Sequence, residues 1–192
     1  VLFNLNNRKI ILASKSPRRR QLLEGLGVQF EVITHEVDES FPIHLRGPEI
    51  ATFLARVKAD AFQQELQQDE IVITADTIVW INDHVLNKPE DRSEAISMLS
   101  ELSGNTHTVY TGVCIKSREK QEVFCDETLV EFRPLTQEEI EYYIDHYSPY
   151  DKAGSYGAQD WIGLTGIRSL KGSYFNVMGL PVHLLYEKLS VF

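Results

Sequence analysis

The chain has 192 residues, 43% of them apolar, with no excess of glycine or proline; this fits a folded globular protein and excludes a largely disordered one. Its formal net charge of −9 argues against a general nucleic-acid binder, whose footprint should be basic. It leaves room for a small phosphate pocket made of a few cations, backbone N–H groups and a divalent ion.

No segment approaches the length of a membrane span, and residues 1–9 are too short and polar for a secretory signal. The two cysteines, Cys114 and Cys125, lack the spacing and the His neighbours of a zinc site. A disulfide between paired strands is left open. A cytoplasmic protein is expected.

Residues 9–13 read as a short strand. Ser14, Lys15 and Ser16 follow, then Pro17 and three arginines, Arg18, Arg19 and Arg20. Ser16 suits a helix N-cap and Pro17 the first helical position. Three cations in a first turn oppose the helix dipole unless an anion sits there. The hydroxyls of Ser14 and Ser16 with the guanidinium groups of Arg18 and Arg19 therefore point to phosphate recognition. The GK[ST] of a P-loop is missing.

Residues 28–32 read as a second strand. His35-Glu36-Val37-Asp38-Glu39 carries three acids. On extended backbone Asp38 and Glu39 face opposite ways, so one of them is expected to turn inward. Apolar residues recur at three and four from 48 to 66, which predicts a helix carrying Lys58.

The run Ile71-Val72-Ile73-Thr74-Ala75-Asp76-Thr77-Ile78-Val79-Trp80 is a buried strand interrupted by one carboxylate. Burying an unpaired carboxylate is costly. Asp76 must be paired, bound to a metal, or sited where the strand opens. Asn82-Asp83 predicts a turn into a short return strand. Lys88 precedes Pro89, which holds its backbone away from the helical region. A helix is expected from 91 to 102, a strand hairpin over 106–132, and a helix opened by the capping box Thr136/Glu139. Residues 161–164 read as a short strand, and the last helix as 181–189. There is no internal repeat and no linker, which predicts one domain over 1–192.

Strands alternating with helices predict an α/β core, with ligands bound off the carboxyl ends of strands. Basic groups and carboxylates gathered there suit a polyphosphate with a divalent cation.

Several ordered stretches resemble the Maf family of nucleoside triphosphate pyrophosphatases. They are Ala13-Ser14-Lys15-Ser16-Pro17-Arg18-Arg19-Arg20-Gln21-Leu22-Leu23, Val37-Asp38-Glu39, Ala55-Arg56-Val57-Lys58-Ala59, Ala75-Asp76-Thr77-Ile78-Val79, and Asp151-Lys152-Ala153-Gly154-Ser155-Tyr156-Gly157-Ala158-Gln159. Residues 172–181 close the set. The resemblance implies an elongated mixed β-sheet flanked by helices, with two lobes around a central cleft, similar to the inosine triphosphate pyrophosphatase-like fold. It implies hydrolysis of the α–β phosphate bond with a divalent metal, Mg²⁺ or Mn²⁺, by a protein that is often a homodimer.

By the same resemblance Asp76 matches the proton acceptor. Glu39, Lys58 and Lys88 match other active-site positions, and Arg18, Thr77 and Gln159 match positions tied to substrate choice. Asp76 and Glu39 are the expected metal ligands. The loop ending at Gln159 resembles the dTTP/UTP branch, and its amide has the donors and acceptor to read the imide edge of thymine or uracil. Asp160 stands where a glycine is common. The alternatives are a pyrophosphatase preferring another or modified nucleotide, and a non-catalytic nucleotide-binding regulator of cell division.

Overall fold

The computed structural model describes residues 2, 5, 7–64 and 66–192; the reading of residues 1–9 as no signal falls partly outside them. In chain order the elements are β1 (Lys9–Leu12), α1 (Pro17–Gly25), β2 (Phe30–Val32), α2 (Pro48–Asp60), β3 (Glu70–Ile81), β4 (His84–Leu86), α3 (Arg92–Leu102), β5 (Thr106–Lys116), β6 (Gln121–Phe132), α4 (Gln137–Tyr147), α5 (Trp161–Gly166), β7 (Ile167–Lys171), α6 (Tyr174–Met178) and α7 (Val182–Val191). Two short 3-10 turns, Pro149–Asp151 and Ala153–Ser155, follow α4. The strand order among the described residues is β2-β1-β3-β5-β6-β7, with β4 paired to β3. Parallel pairs (β1 with β2 and β3) and antiparallel pairs (β3–β4, β6–β7) make it a mixed sheet, as an α/β chain of this pattern predicts.

The chain divides into two compact units. The first holds residues Val1–Asp76, Thr111–Asp126 and Gly179–Phe192; the second holds Thr77–Tyr110 and Glu127–Met178.

In the first unit, α1 starts as its sequence dictates. Ser16 caps it by accepting the Arg19 N–H on its Oγ at 3.4 Å, with Pro17 in the first turn. Helix α2 buries Ile50, Ala51, Leu54, Ala55 and Ala59, a stripe at helical spacing. Two contacts seat this helix. A Cβ on Gly112 of β5 would stand 2.3 Å from the carbonyl of Ala51, so only glycine lets that strand come so close. Thr74 of β3, fully buried, donates its hydroxyl to the Ala55 carbonyl at 2.6 Å.

The second unit has a core of Val79, Leu86, Leu99, Leu102, Val130, Phe132, Ile140, Tyr143, Ile144 and Ile162, among others. Asp91 caps α3 by accepting the Glu94 N–H at 2.8 Å, and both halves of the Thr136/Glu139 capping box are present. Asn82 and Asp83 turn the chain with φ of 48° and 61°, the backbone a tight hairpin requires. His107 lies buried, hydrogen-bonded through Nε2 to the Tyr156 hydroxyl at 2.7 Å and stacked on Phe132. Burial pushes its imidazole down to about 3.

Four expectations are corrected. The helix predicted over 48–66 ends at Asp60. Its periodicity runs on because Phe62 and Leu66 fold back in turns to pack on Ile11 and Val72; position 65 lies outside the described residues. The strand predicted over 28–32 covers only Phe30–Val32. The last helix begins one residue later, with Pro181 as its cap. Most tellingly, the strand predicted over 161–164 is the helix α5. Ile162 is buried and Leu164 is 79% exposed; on a helix these side chains point about 200° apart, whereas a pleat would put both on one face. The strand that follows, β7, has only weak amphipathy and is not among the predicted elements.

Candidate active site

In the first unit three residues far apart in sequence converge. Lys58 lies in the last turn of α2, where a cation complements the helix dipole. Its ammonium hydrogen-bonds Asp76 Oδ1 on β3 and lies 2.9 Å from Glu39 Oε1 in the coil after β2. The Lys58 and Asp76 side chains are 16% and 12% exposed, and Glu39 is 51% exposed. The Asp76 end of this bridge is therefore little screened, and the Glu39 end is weakened by water. The carboxylate inside the apolar strand is paired with a cation, one of the readings the sequence left open.

Asp38 and Glu39 make different contacts in this coil. Asp38 turns back locally, its two oxygens accepting the N–H and hydroxyl of Ser40 at 2.9 and 2.8 Å, which hold its carboxyl below the usual range. Glu39 turns to Lys58.

The serine–arginine stretch lies in the same unit. Ser14 is buried, and its Oγ accepts the Ser16 N–H at 3.2 Å and the Arg19 Nη1 at 3.5 Å. Arg19 also donates Nε–H to the Gly179 carbonyl at 2.8 Å. Burial lowers the pKa of this guanidinium, while the charges of Asp76 and Glu39 act in the opposite direction. Arg19 therefore carries its charge within the field of the two carboxylates that Lys58 bridges. Arg18 is half-buried beside it in sequence. No acid lies in the first turn of α1, so its N-terminal field remains open to an anion.

The other expected residues belong to the second unit. Thr77 is half-buried on β3. Lys88 is exposed in the irregular stretch between β4 and α3, where the Asn87 carbonyl accepts the Gly154 N–H at 3.1 Å. Gln159 sits in a turn closed by the Asp160 N–H on the Gly157 carbonyl at 3.0 Å. Its Oε1 is shut off from water with no hydrogen-bond partner among the described residues. An orphaned acceptor of this kind costs about 1–3 kcal/mol, and a ligand bearing an N–H would relieve it.

Sequence reasoning gave no role to the groups around that turn. Tyr143 donates its hydroxyl to Asp160 Oδ2 at 2.7 Å and accepts the Gly157 N–H at 3.1 Å. Lys152, with a side chain only 12% exposed, lies 2.7 Å from Asp151 Oδ1 and 3.9 Å from Asp160 Oδ2. The one available signal was an ionisable residue on either side of an otherwise small, neutral loop.

Among the described residues no group of three or more His, Cys, Asp or Glu side chains stands ready for a metal, and no helix is long and apolar enough to cross a membrane.

The Maf-like protein family matches residues 9–192, and the chain belongs to that family. It is 54% identical over 191 residues to a dTTP/UTP pyrophosphatase of Bacteroides fragilis, covering 99% of each chain. It is 49% identical over 195 residues to a dTTP/UTP pyrophosphatase of Porphyromonas gingivalis, covering 100% of this chain and 98% of the other. The solved structure of the Staphylococcus aureus Ham1 protein overlays 65% of this chain and 72% of its own at 15% identity with a TM-score of 0.49, a likeness too slight to argue from.

Proposed function

We propose that this protein hydrolyses dTTP and UTP between the α and β phosphates, giving the nucleoside monophosphate and pyrophosphate. The relatives' shared activity supports the substrate class. The observation that carries the chemistry is the convergence of Asp76, Lys58 and Glu39. A buried carboxylate and a cation at one point are what a water attack on a phosphoanhydride needs: a base for the proton and a positive charge for the phosphates.

In the proposed reaction Asp76 takes a proton from a water as its oxygen bonds to the α-phosphorus. The bridging α–β oxygen leaves with the pyrophosphate. Lys58, already in contact with Asp76, neutralises charge developing on the phosphates. Arg18 and Arg19, with the hydroxyls of Ser14 and Ser16, receive phosphate oxygens at the start of α1. Lys88 is assigned to the phosphates, Thr77 to substrate choice, and Gln159 to the base.

Asp76 and Glu39 offer the hard oxygen donors that Mg²⁺ or Mn²⁺ prefers. Two carboxylates suffice for an ion that keeps its waters and shares the substrate's phosphates, so the residues present fit such an ion. When bound it would supply charge neutralisation and orientation of the phosphates.

We extend the reading to one catalytic domain over 1–192. The two units are interlaced along the chain, and β3, β5 and β6 each contribute to both. A cytoplasmic homodimer completes the proposal. Both cysteines are free thiols, as a reducing compartment keeps them, and Tyr142, Tyr147 and Tyr150 expose aromatic surface of the kind interfaces use.

The test is pyrophosphate release from a panel of nucleoside triphosphates, with and without Mg²⁺ or Mn²⁺. Release of pyrophosphate from dTTP and UTP ahead of purine triphosphates is expected. Orthophosphate as the first product, or binding without turnover, overturns the reading.

A further inference from the structure

We propose that Asp160, held by Tyr143, is a positioning residue that fixes which end of the Gln159 amide faces the base, and so makes the protein prefer uracil to cytosine. This rests on the assignment of Gln159 to the base. Tyr143 rises from α4 and is fully buried. Its hydroxyl ties the two ends of the 157–160 turn, accepting the Gly157 N–H and donating to the Asp160 carboxylate. Gln159 is the third residue of that turn.

The amide and the carboxylate lie side by side. A Cβ on Gly157 would stand 2.5 Å from Asp160 Oδ2 and 2.8 Å from Gln159 Nε2, so both groups rest on the bare α-carbon. An ionised carboxylate only accepts hydrogen bonds, whereas an amide has one end that donates and one that accepts. Asp160 therefore favours the donating end of Gln159 on its own side. The accepting end is left facing the other way, and it is the atom found buried and unpartnered. A ring N–H satisfies it. Uracil and thymine carry one at that position of the ring, and cytosine carries a bare acceptor nitrogen.

The experiment compares kcat/KM for UTP and CTP in the wild-type protein and in Asp160→Asn. Asparagine keeps an oxygen for the Tyr143 hydroxyl and nearly the same shape, but its own NH₂ no longer forbids the flipped amide. The UTP:CTP ratio is expected to fall about tenfold, mainly through a raised KM for UTP, with the thermal midpoint close to wild type. If Asp160 only braces the turn, Asn serves equally well and the ratio stays at the wild-type value, which overturns the inference. Tyr143→Phe is the second variant. It frees the carboxylate from its tether and is expected to lower the ratio less, whereas an unchanged ratio there also counts against the inference. A wild-type protein that does not prefer UTP to CTP overturns the base assignment itself, before any variant is compared.

Discussion

The charged cluster of the first unit and the Gln159 turn of the second solve different problems. Around Lys58, two carboxylates share one ammonium within reach of the Arg19 charge, and the chemistry proposed for them is indifferent to the base. Around Gln159 the group that matters is neutral, so no ion pair can aim it; it is proposed to be aimed by a neighbouring carboxylate tethered to a tyrosine hydroxyl, beside a glycine without a side chain. On the proposed reading, charge supplies reactivity and packing supplies discrimination. The two should therefore break separately.

The widest separation is expected from Asp76→Asn. Removing the proposed proton acceptor while keeping its shape should lower kcat on the order of 10³-fold for every triphosphate alike, with circular dichroism and thermal midpoint near wild type. A folded variant of full activity would remove Asp76 from the reaction.

Gln159→Leu should act in the opposite way. It deletes the amide in similar volume, and the loss should fall on UTP and dTTP while CTP is nearly spared. A range of about 1–3 kcal/mol, roughly 5- to 150-fold in kcat/KM, is expected from steady-state kinetics on the three nucleotides. Equal losses would mean that the glutamine braces the turn and reads nothing.

Gly112→Ala tests the scaffold beneath the charged cluster. The new methyl meets the Ala51 backbone, and a destabilisation of about 1–3 kcal/mol should appear in the urea midpoint.

The smallest effect belongs to the second unit's core. His107 is neutral when folded down to about 3, against an ordinary value near 6.5. Between those values the unfolded chain binds a proton that the folded chain refuses. Stability should be unaffected above that window and should fall as pH drops through it, by up to about 1.4 kcal/mol per pH unit. His107→Phe should flatten this slope when urea midpoints at pH 7 and pH 5 are compared.

What the sequence made legible was local. Ser16 with Pro17, and Thr136 with Glu139, announce helix starts, because a cap is satisfied within three residues. The alternation of Asp38 and Glu39 separates the one that turns back from the one that turns inward. What stayed hidden depends on residues brought together by folding. Lys58 looks like any surface lysine until Asp76, 18 positions later, arrives beside it. Tyr143 looks like a packing aromatic until Asp160, 17 positions later, meets its hydroxyl. The helix at Trp161–Gly166 failed for another reason: six residues are too few for a periodicity to declare itself.

The seating of α2 has a practical consequence. Gly112 against Ala51 and Thr74 against Ala55 are uncharged contacts one to two turns back along the helix whose last turn carries Lys58. They act as the stop that sets how far the lysine reaches. Turnover should thus be adjustable by changes of a single methyl or hydroxyl at those stops, in proteins whose every acid and base is untouched.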